Sequence, residues 1–352
     1  MTGVPEIPPT SLPLVSVIIP TFNRASLLLS AIESVLDQDG VSTEIVVVDD
    51  GSTDGTAEML RPYVDRKQIV YLRRTESQGP AAARNLGIDT SRGDYICFLD
   101  SDDTLSADSL RIRLTALQHR PEVGLLFSDY DEARLENGSR VISCRNALSA
   151  REQLQREARG HVEEVDGHLH LFSSTLFYDL LVLRRLVWTG TVMIPRHVLQ
   201  EVGLFSETHR IAEDIDLWFR IARKHKLAYL DKSTATYLLH GDGITNNFAL
   251  YYGSTVSVLA DFLASAEMPL AYKDKIERKI AAYCYDLGAH YLTQTDYAQA
   301  RRYYRKALRH DRRKFGHYGF TLLTLLPAPV LDVARSLRRA AKKRLQAAGN
   351  SA

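Results

Sequence analysis

Cysteine is scarce in this sequence. Its 352 residues include three, Cys97, Cys144 and Cys284, widely separated and odd in number. They suit neither a disulfide framework nor a zinc-ligand spacing, and so few thiols fit a reducing compartment. Long apolar runs are also missing, for none approaches the ~18 residues that a membrane span requires. No charge sign predominates: 44 Lys and Arg face 43 Asp and Glu, a formal net charge of +1 that argues against a general nucleic-acid-binding surface. The leader MTGVPEIPPTSLPL has no basic residue and no apolar h-region. It reads as a flexible, proline-rich arm over residues 1–14, not a signal peptide.

What remains is an ordinary globular composition, 45% hydrophobic and 25% charged, in a chain long enough for one large domain and an appendage. The first hundred residues alternate between two periodicities. VSVIIPT is a buried strand run and is followed by the helical spacing of RASLLLSAIESVLDQ. EIVVVDD is a second β-branched run, and STDGTAEMLRPY opens like a helix N-terminus. IVYLRR, the alanine-rich GPAAARNLGIDT and DYICFLD continue the alternation. Strands alternating with helices predict parallel pairing through crossovers, an α/β sandwich whose ligands gather beyond the carboxyl ends of the strands. Three of those ends are polar: Thr21-Phe22-Asn23, Asp49-Asp50-Gly51-Ser52 and Asp100-Ser101-Asp102-Asp103. The packed carboxylates of the third repel one another and call for a compensating cation.

Farther on, VGLLFSDYDEARLENGSRVI predicts two strands joined at Asn137-Gly138. Residues from about 145 to 187 have no clear period and are expected to form an insertion over the crevice. Its His161, His168 and His170 lack a diagnostic ligand spacing and are expected in a polar loop. WTGTVMIPRHVLQEVGLF predicts a strand and a short helix. AEDIDLWFRIARKH predicts a helix with Ile215, Trp218, Phe219 and Ala222 on one face and Glu213-Asp214 at its start. LAYLD and TATYLLH read as two strand runs. After about residue 250 the pattern is helical. CYDLGAHYLTQTDYAQARRYYRKAL resembles one tetratricopeptide repeat through Cys284, Leu287, Gly288, Tyr291, Ala300, Tyr304 and Ala307. A proline-broken apolar segment and the basic run DVARSLRRAAKKRLQ end the chain. This tail reads equally as an interfacial membrane contact or as a packed helix with a solvated basic face.

Taken in order, VSVIIPTFNR, VVVDDGSTDGT, GPAAARNLGI, GDYICFLDSDD, TGTVMIPRHVLQEVGLF and AEDIDLWFRIA resemble a family 2 glycosyltransferase with the GT-A fold, over about residues 15–245. The resemblance implies a Rossmann-like, mostly parallel central sheet flanked by helices. The expected domains are 15–249, including the insertion, and a helical extension over 250–352.

The resemblance also implies a nucleotide-diphosphate sugar as donor, a UDP-sugar in this reading, and Mn²⁺ or Mg²⁺ to neutralise the leaving diphosphate. Asp100-Ser101-Asp102 corresponds to the family's DxD. Asp102 is then the direct metal ligand, Asp100 contacts the ribose or the metal's water shell, and Ser101 lies with them against the donor. Asp103 is expected to assist. Pro20 and Phe22 would line the base pocket, Asp50 would accept the base's N–H, and Asp49 would hold the adjacent turn. Arg84 would approach the base or the diphosphate, unless it is a solvated helix arginine. Asp214 corresponds to the base of an inverting transfer, with Glu213 tuning it. His240 corresponds to a second metal ligand, while Asp216 is a surface residue. Trp188, Thr189 and Gly190 would flank the donor sugar or the acceptor.

The acceptor class that fits is a glycan, lipid-linked or polysaccharide, met in the cytoplasm or at the inner face of the membrane. The C-terminal helices offer a surface for a protein partner or for self-association. Two other readings stay open. One is a nucleotidyltransferase acting on sugar phosphates, against which PTFNRAS lacks the expected glycine. The other is a non-catalytic nucleotide-binding or scaffold protein, which leaves AEDIDLWF unexplained.

Overall fold

The computed structural model describes residues 13–147, 162–164, 168–172, 187–209, 211–240, 247–265, 268 and 270–311. Most of the N-terminal arm, most of the insertion and the basic tail lie outside the described residues. The chain divides into two compact units, Met1–Gly243 and Ile244–Ala352.

The first unit opens with strand β1 (Leu14–Thr21), helix α1 (Ala25–Leu36), β2 (Ser42–Asp49), α2 (Thr56–Asp65), β3 (Val70–Arg73), α3 (Pro80–Thr90) and β4 (Tyr95–Phe98). β3, β2, β1 and β4 lie side by side and parallel, as the alternation predicts. Val15, Val17, Ile18 and Ile19 are all buried because both faces of this sheet are covered, which is why β1 reads as a continuous apolar run. Helix α1 buries Leu28, Ala31, Ile32 and Val35, one stripe at helical spacing. Helix α3 comes closest to the sheet: a Cβ added to Gly87 would stand 2.4 Å from Ile18 Cγ2, so only glycine fits at that contact.

β5 (Thr104–Leu105), α4 (Ser109–Gln118), β6 (Val123–Glu136), β7 (Ser139–Cys144), β8 (Val162–Glu164), β9 (Leu169–Phe172), β10 (Met193–Pro195), α5 (Arg196–Val202), α6 (Glu213–Lys224) and β11 (Lys226–Leu239) complete the unit. Beyond β4 the sheet is mixed. β10 runs antiparallel to β4 and β6, β11 runs parallel to β6, and β9 and β8 follow antiparallel. The predicted turn at Asn137-Gly138 joins β6 to β7, with φ of 51° and 82°, the positive pair a tight hairpin requires.

Three local expectations change. LAYLD and TATYLLH are one 14-residue strand, because register shifts around Ser233 absorb the break in pattern. His170 belongs to β9 and stacks on Tyr229 at 5.8 Å, so it is a strand residue and not a loop one, while His161 lies outside the described residues. On α6 the buried residues are Glu213, Leu217, Trp218, Phe219, Ile221 and Ala222, and Ile215 is only half-buried.

In the second unit, α7 (Phe248–Ala264), α8 (Leu270–Thr293) and α9 (Tyr297–His310) follow one another. Six of the repeat-like positions, Cys284, Leu287, Gly288, Ala300, Tyr304 and Ala307, are buried in the α8–α9 pair. A Cβ on Gly288 would meet the Tyr304 ring at 2.7 Å. At 24 residues α8 is too long for one helix of a repeat of about 34 residues, so the likeness is confined to these packing positions. No helix among the described residues is long and apolar enough to cross a membrane.

Candidate active site

The register of the parallel strands brings the polar strand ends to one edge. Thr21 pairs with Asp49, Asp50 N–H donates to Thr21 O at 2.9 Å, and Leu99 N–H donates to Ile18 O at 3.1 Å. The first two ends are bolted together through Asn23, which takes the left-handed conformation (φ 52°) that asparagine tolerates. Its N–H donates to Ser52 Oγ at 2.8 Å, and its Oδ1 accepts Thr53 N–H at 2.8 Å. Pro20 is half-buried beside this junction, and Phe22 is 49% exposed, a large apolar ring left open to solvent.

The paired aspartates after β2 divide their work. Buried Asp49 accepts Ser52 N–H at 2.7 Å and Tyr71 O–H at 2.6 Å, so it holds the turn as expected. Asp50 is buried as well. Its Oδ2 accepts Ser77 O–H at 2.6 Å and Gly79 N–H at 2.8 Å, and Gln78 N–H lies 3.1 Å from both oxygens. The carboxylate therefore clamps the loop leading into α3, and its Oδ1 retains capacity for a further donor.

Each acid after β4 meets a different partner. Asp100 Oδ1 accepts from Arg84 Nη2 at 2.8 Å. Ser101 is buried between the two neighbouring acids in sequence. Asp102 Oδ2 lies 2.5 Å from Arg24 Nη1 and 2.6 Å from His240 Nε2. Asp103 is fully buried, and its Oδ1 accepts Leu238 N–H from β11 at 2.8 Å. Burial, and then the charges of Asp102 and Asp100, push its carboxyl well above the ordinary range. Asp103 thus secures β11 to the site.

Arg84 requires the largest revision. It is neither solvated nor free to reach a base, being 5% exposed and clamped between Asp100 and Glu213, with Nη1 2.6 Å from Glu213 Oε1. Its guanidinium also lies 5.6 Å from the centre of the Phe205 ring. One cation therefore ties β4, α3 and the start of α6 together. Burial raises the Glu213 carboxyl despite the opposing charge of Arg84. Burial raises Asp214 too, against the same opposing charge. Asp214 Oδ1 accepts Ile215 N–H at 2.8 Å, and its Oδ2 accepts the Thr189 hydroxyl at 3.2 Å. Ala212, just before this pair, is left-handed (φ 67°), a conformation that costs an alanine about 1–2 kcal/mol and that sets the entry of the acidic turn.

Thr189, Gly190 and Thr191 form a short 3-10 turn that follows Trp188, and Thr189 reaches Asp214 from it. The Trp188 ring meets Tyr130 at 4.9 Å and Tyr237 at 5.2 Å, edge to face. Asp216 pairs with Arg220 at 2.8 Å and remains partly exposed, a surface ion pair as expected.

Sequence reasoning missed Arg24, Tyr130, Tyr237 and Arg140. The sole signal for Arg24 was its place directly after the first polar strand end. Arg140, on β7, carries two buried Nη atoms without hydrogen-bond partners and feels the charges of Asp103 and Asp102. A hairpin arginine carries no periodic signal that would place it at this site.

Among the described residues no three His, Cys, Asp or Glu side chains converge as a metal cage. Asp102 Oδ2 and His240 Nε2 do converge, one hard oxygen and one imidazole nitrogen, a donor pair that suits Mn²⁺ when phosphate oxygens and water complete the shell. Asp100 is engaged by Arg84 and does not join that pair directly.

Residues 16–181 match the family model for glycosyl transferase family 2. Over 234 residues the chain is 35% identical to an uncharacterized glycosyltransferase of Rickettsia felis, a match covering 66% of this chain and 34% of that protein. It is 29% identical over 239 residues to TuaG of Bacillus subtilis, a glycosyltransferase named for teichuronic acid biosynthesis, covering 67% of this chain and 82% of the other. The chain spans about a third of the length of the Rickettsia felis, Rickettsia conorii and Rickettsia bellii relatives it matches. Among solved structures it resembles residues 1–349 of Staphylococcus aureus TarS in complex with UDP-GlcNAc. The TM-score is 0.60 at 18% identity, covering 92% of this chain and 87% of the other, a likeness of fold alone.

Proposed function

Since this chain carries a family 2 glycosyltransferase domain of the GT-A fold, we propose that it is a metal-dependent, inverting enzyme that moves a sugar from a nucleotide-diphosphate donor to a hydroxyl of a glycan or lipid-linked acceptor. The observation that carries the proposal is the Arg84 clamp. It holds Asp100, at the DxD, and Glu213, the residue before Asp214 at the start of α6, on one buried cation. A nucleotide-binding acid and a half-buried base candidate are thereby kept in fixed register, which inverting transfer demands. The family-model match over residues 16–181 supports this reading over the nucleotidyltransferase and scaffold ones.

The donor's base stacks against Pro20 and the exposed Phe22, and the remaining capacity of Asp50 Oδ1 accepts its N–H. Asp100 and Ser101 face the ribose. Asp102 and His240 hold the divalent cation, which when bound supplies positive charge to the departing diphosphate. Asp214 takes the proton from the acceptor hydroxyl as that oxygen attacks the anomeric carbon from the face opposite the leaving group. Thr189 steadies the Asp214 carboxylate, and the Trp188–Tyr130–Tyr237 cluster beside it suits a sugar ring. UDP is the proposed nucleotide, with support from the UDP-GlcNAc complex of TarS, and a bacterial surface polysaccharide is the proposed acceptor, with support from the naming of TuaG.

Nucleotide sugars screened with Mn²⁺ by thermal shift, followed by release of the nucleoside diphosphate, test this reading. Asp214→Asn is expected to abolish transfer and leave nucleotide and metal binding nearly intact. Retained turnover in that variant sinks the base assignment, and no stabilisation by any nucleotide sugar sinks the donor assignment.

A further inference from the structure

Arg24 stands at the proposed metal position. Its Nη1 is 2.5 Å from Asp102 Oδ2 and 3.0 Å from His240 Nε2, while those two atoms are 2.6 Å from each other. These three polar atoms form a closed triangle around the donor pair proposed for the cation. A divalent ion bound to Asp102 Oδ2 at about 2.1 Å would, by the sum of the two bond lengths, lie within about 4.6 Å of Nη1. Two cations that close on one carboxylate repel strongly.

We propose that Arg24 and the divalent cation compete for Asp102 and His240, and that the nucleoside diphosphate settles the competition. This rests on the metal role given to that pair above. Without ligand, the guanidinium neutralises Asp102 and holds the strand-end loops of β1 and β4 together. When the cation loads, Arg24 leaves the carboxylate, and its planar fork then has the arriving diphosphate as the nearest new anion. The diphosphate gives the displaced guanidinium a partner and gives the metal further oxygen ligands. Metal and nucleotide therefore bind with positive coupling, and each is weak alone. The arrangement keeps the crevice closed to free cations until a donor arrives.

The test is Mn²⁺ binding to the full chain, read by electron paramagnetic resonance of the free ion, with and without UDP. Arg24→Gln is expected to bind Mn²⁺ alone on the order of ten- to a hundredfold more tightly than the natural chain, the range one charged hydrogen bond covers. The gain in Mn²⁺ affinity on adding UDP is expected to shrink by a similar factor, and Arg24→Lys, which keeps the charge and loses the fork, should fall between. Asp102→Asn serves as the reference and should remove Mn²⁺ binding in every background. Unchanged or weaker Mn²⁺ binding in Arg24→Gln, with Asp102→Asn still abolishing it, overturns the competition and leaves the metal ligand standing. Mn²⁺ binding that Asp102→Asn does not affect overturns both.

Discussion

Removing the Arg84 guanidinium tests the logic of the site most directly. The side chain is 5% exposed and makes two short ion pairs, 2.8 Å to Asp100 and 2.6 Å to Glu213. Glu213 is itself 6% exposed, so Arg84→Gln leaves a buried carboxylate facing Asp214 without a counter-cation. Breaking one partner of a buried pair costs about 3–5 kcal/mol. In a unit of this size each kcal/mol moves the melting temperature by about 2–4 °C, so the expected loss is roughly 6–20 °C.

The loss should also depend on pH, and the sign is determined by Glu213. Its carboxyl is already raised by burial to about 7 from 4.5, and losing Arg84 raises it further. The folded state then holds a proton more tightly than the unfolded one. The variant's deficit is therefore smallest near pH 5 and grows as pH rises through the folded value. The assay is thermal unfolding of natural chain, Arg84→Gln and Arg84→Lys at pH 5.5, 7 and 8.5, with UDP binding measured alongside. Arg84→Lys should recover part of the stability, because one ammonium can meet one acid well but not fork to two. A deficit under about 3 °C, or one independent of pH, refutes the claim that Arg84 is the buried hub.

Burial of Asp214 raises its carboxyl, and a general base works deprotonated, so the turnover rate should fall on the acid side at a pH above the ordinary aspartate range. A pH–rate profile that stays flat down to pH 4 contradicts this. Asp103→Asn keeps an acceptor for Leu238 N–H and removes no charge from a carboxyl already pushed toward its neutral form. It should shift stability by about 1 kcal/mol or less and leave Mn²⁺ affinity unchanged, whereas a true ligand would lose it. Gly87→Ala drives a methyl into Ile18 and should cost about 1–3 kcal/mol in denaturant unfolding, with little effect on nucleotide affinity.

The elements legible in the sequence were those whose signal is local. The β-branched runs of β1 and β2, the alanine-rich α3, the Asn137-Gly138 turn and the acidic start of α6 declare themselves through period, propensity and turn chemistry within a dozen residues. The polar strand ends were legible for the same reason: an apolar run that stops at Asp50 or Asp100 places its acids at a carboxyl edge once the strands are parallel. Misreadings arose where a long-range contact overruled the local pattern. The bulges around Ser233 join two apparent strands because β6 supplies a continuous partner. His170 looks like a loop histidine until Tyr229 of β11 stacks beneath it.

The order of motifs along the chain by itself determined the fold family, the crevice and the candidate acids, because each follows from neighbours in sequence. The tertiary structure alone decided how the charges are paired. Arg84 lies 129 residues from Glu213, Arg24 78 from Asp102 and Asp102 138 from His240. At such separations no periodicity relates the partners. Which cation neutralises which acid depends on the register of β1 against β2 and β4 and on where α6 begins. The same helix arginine is solvated or buried according to whether Asp100 and Glu213 converge on it, and in this fold they do.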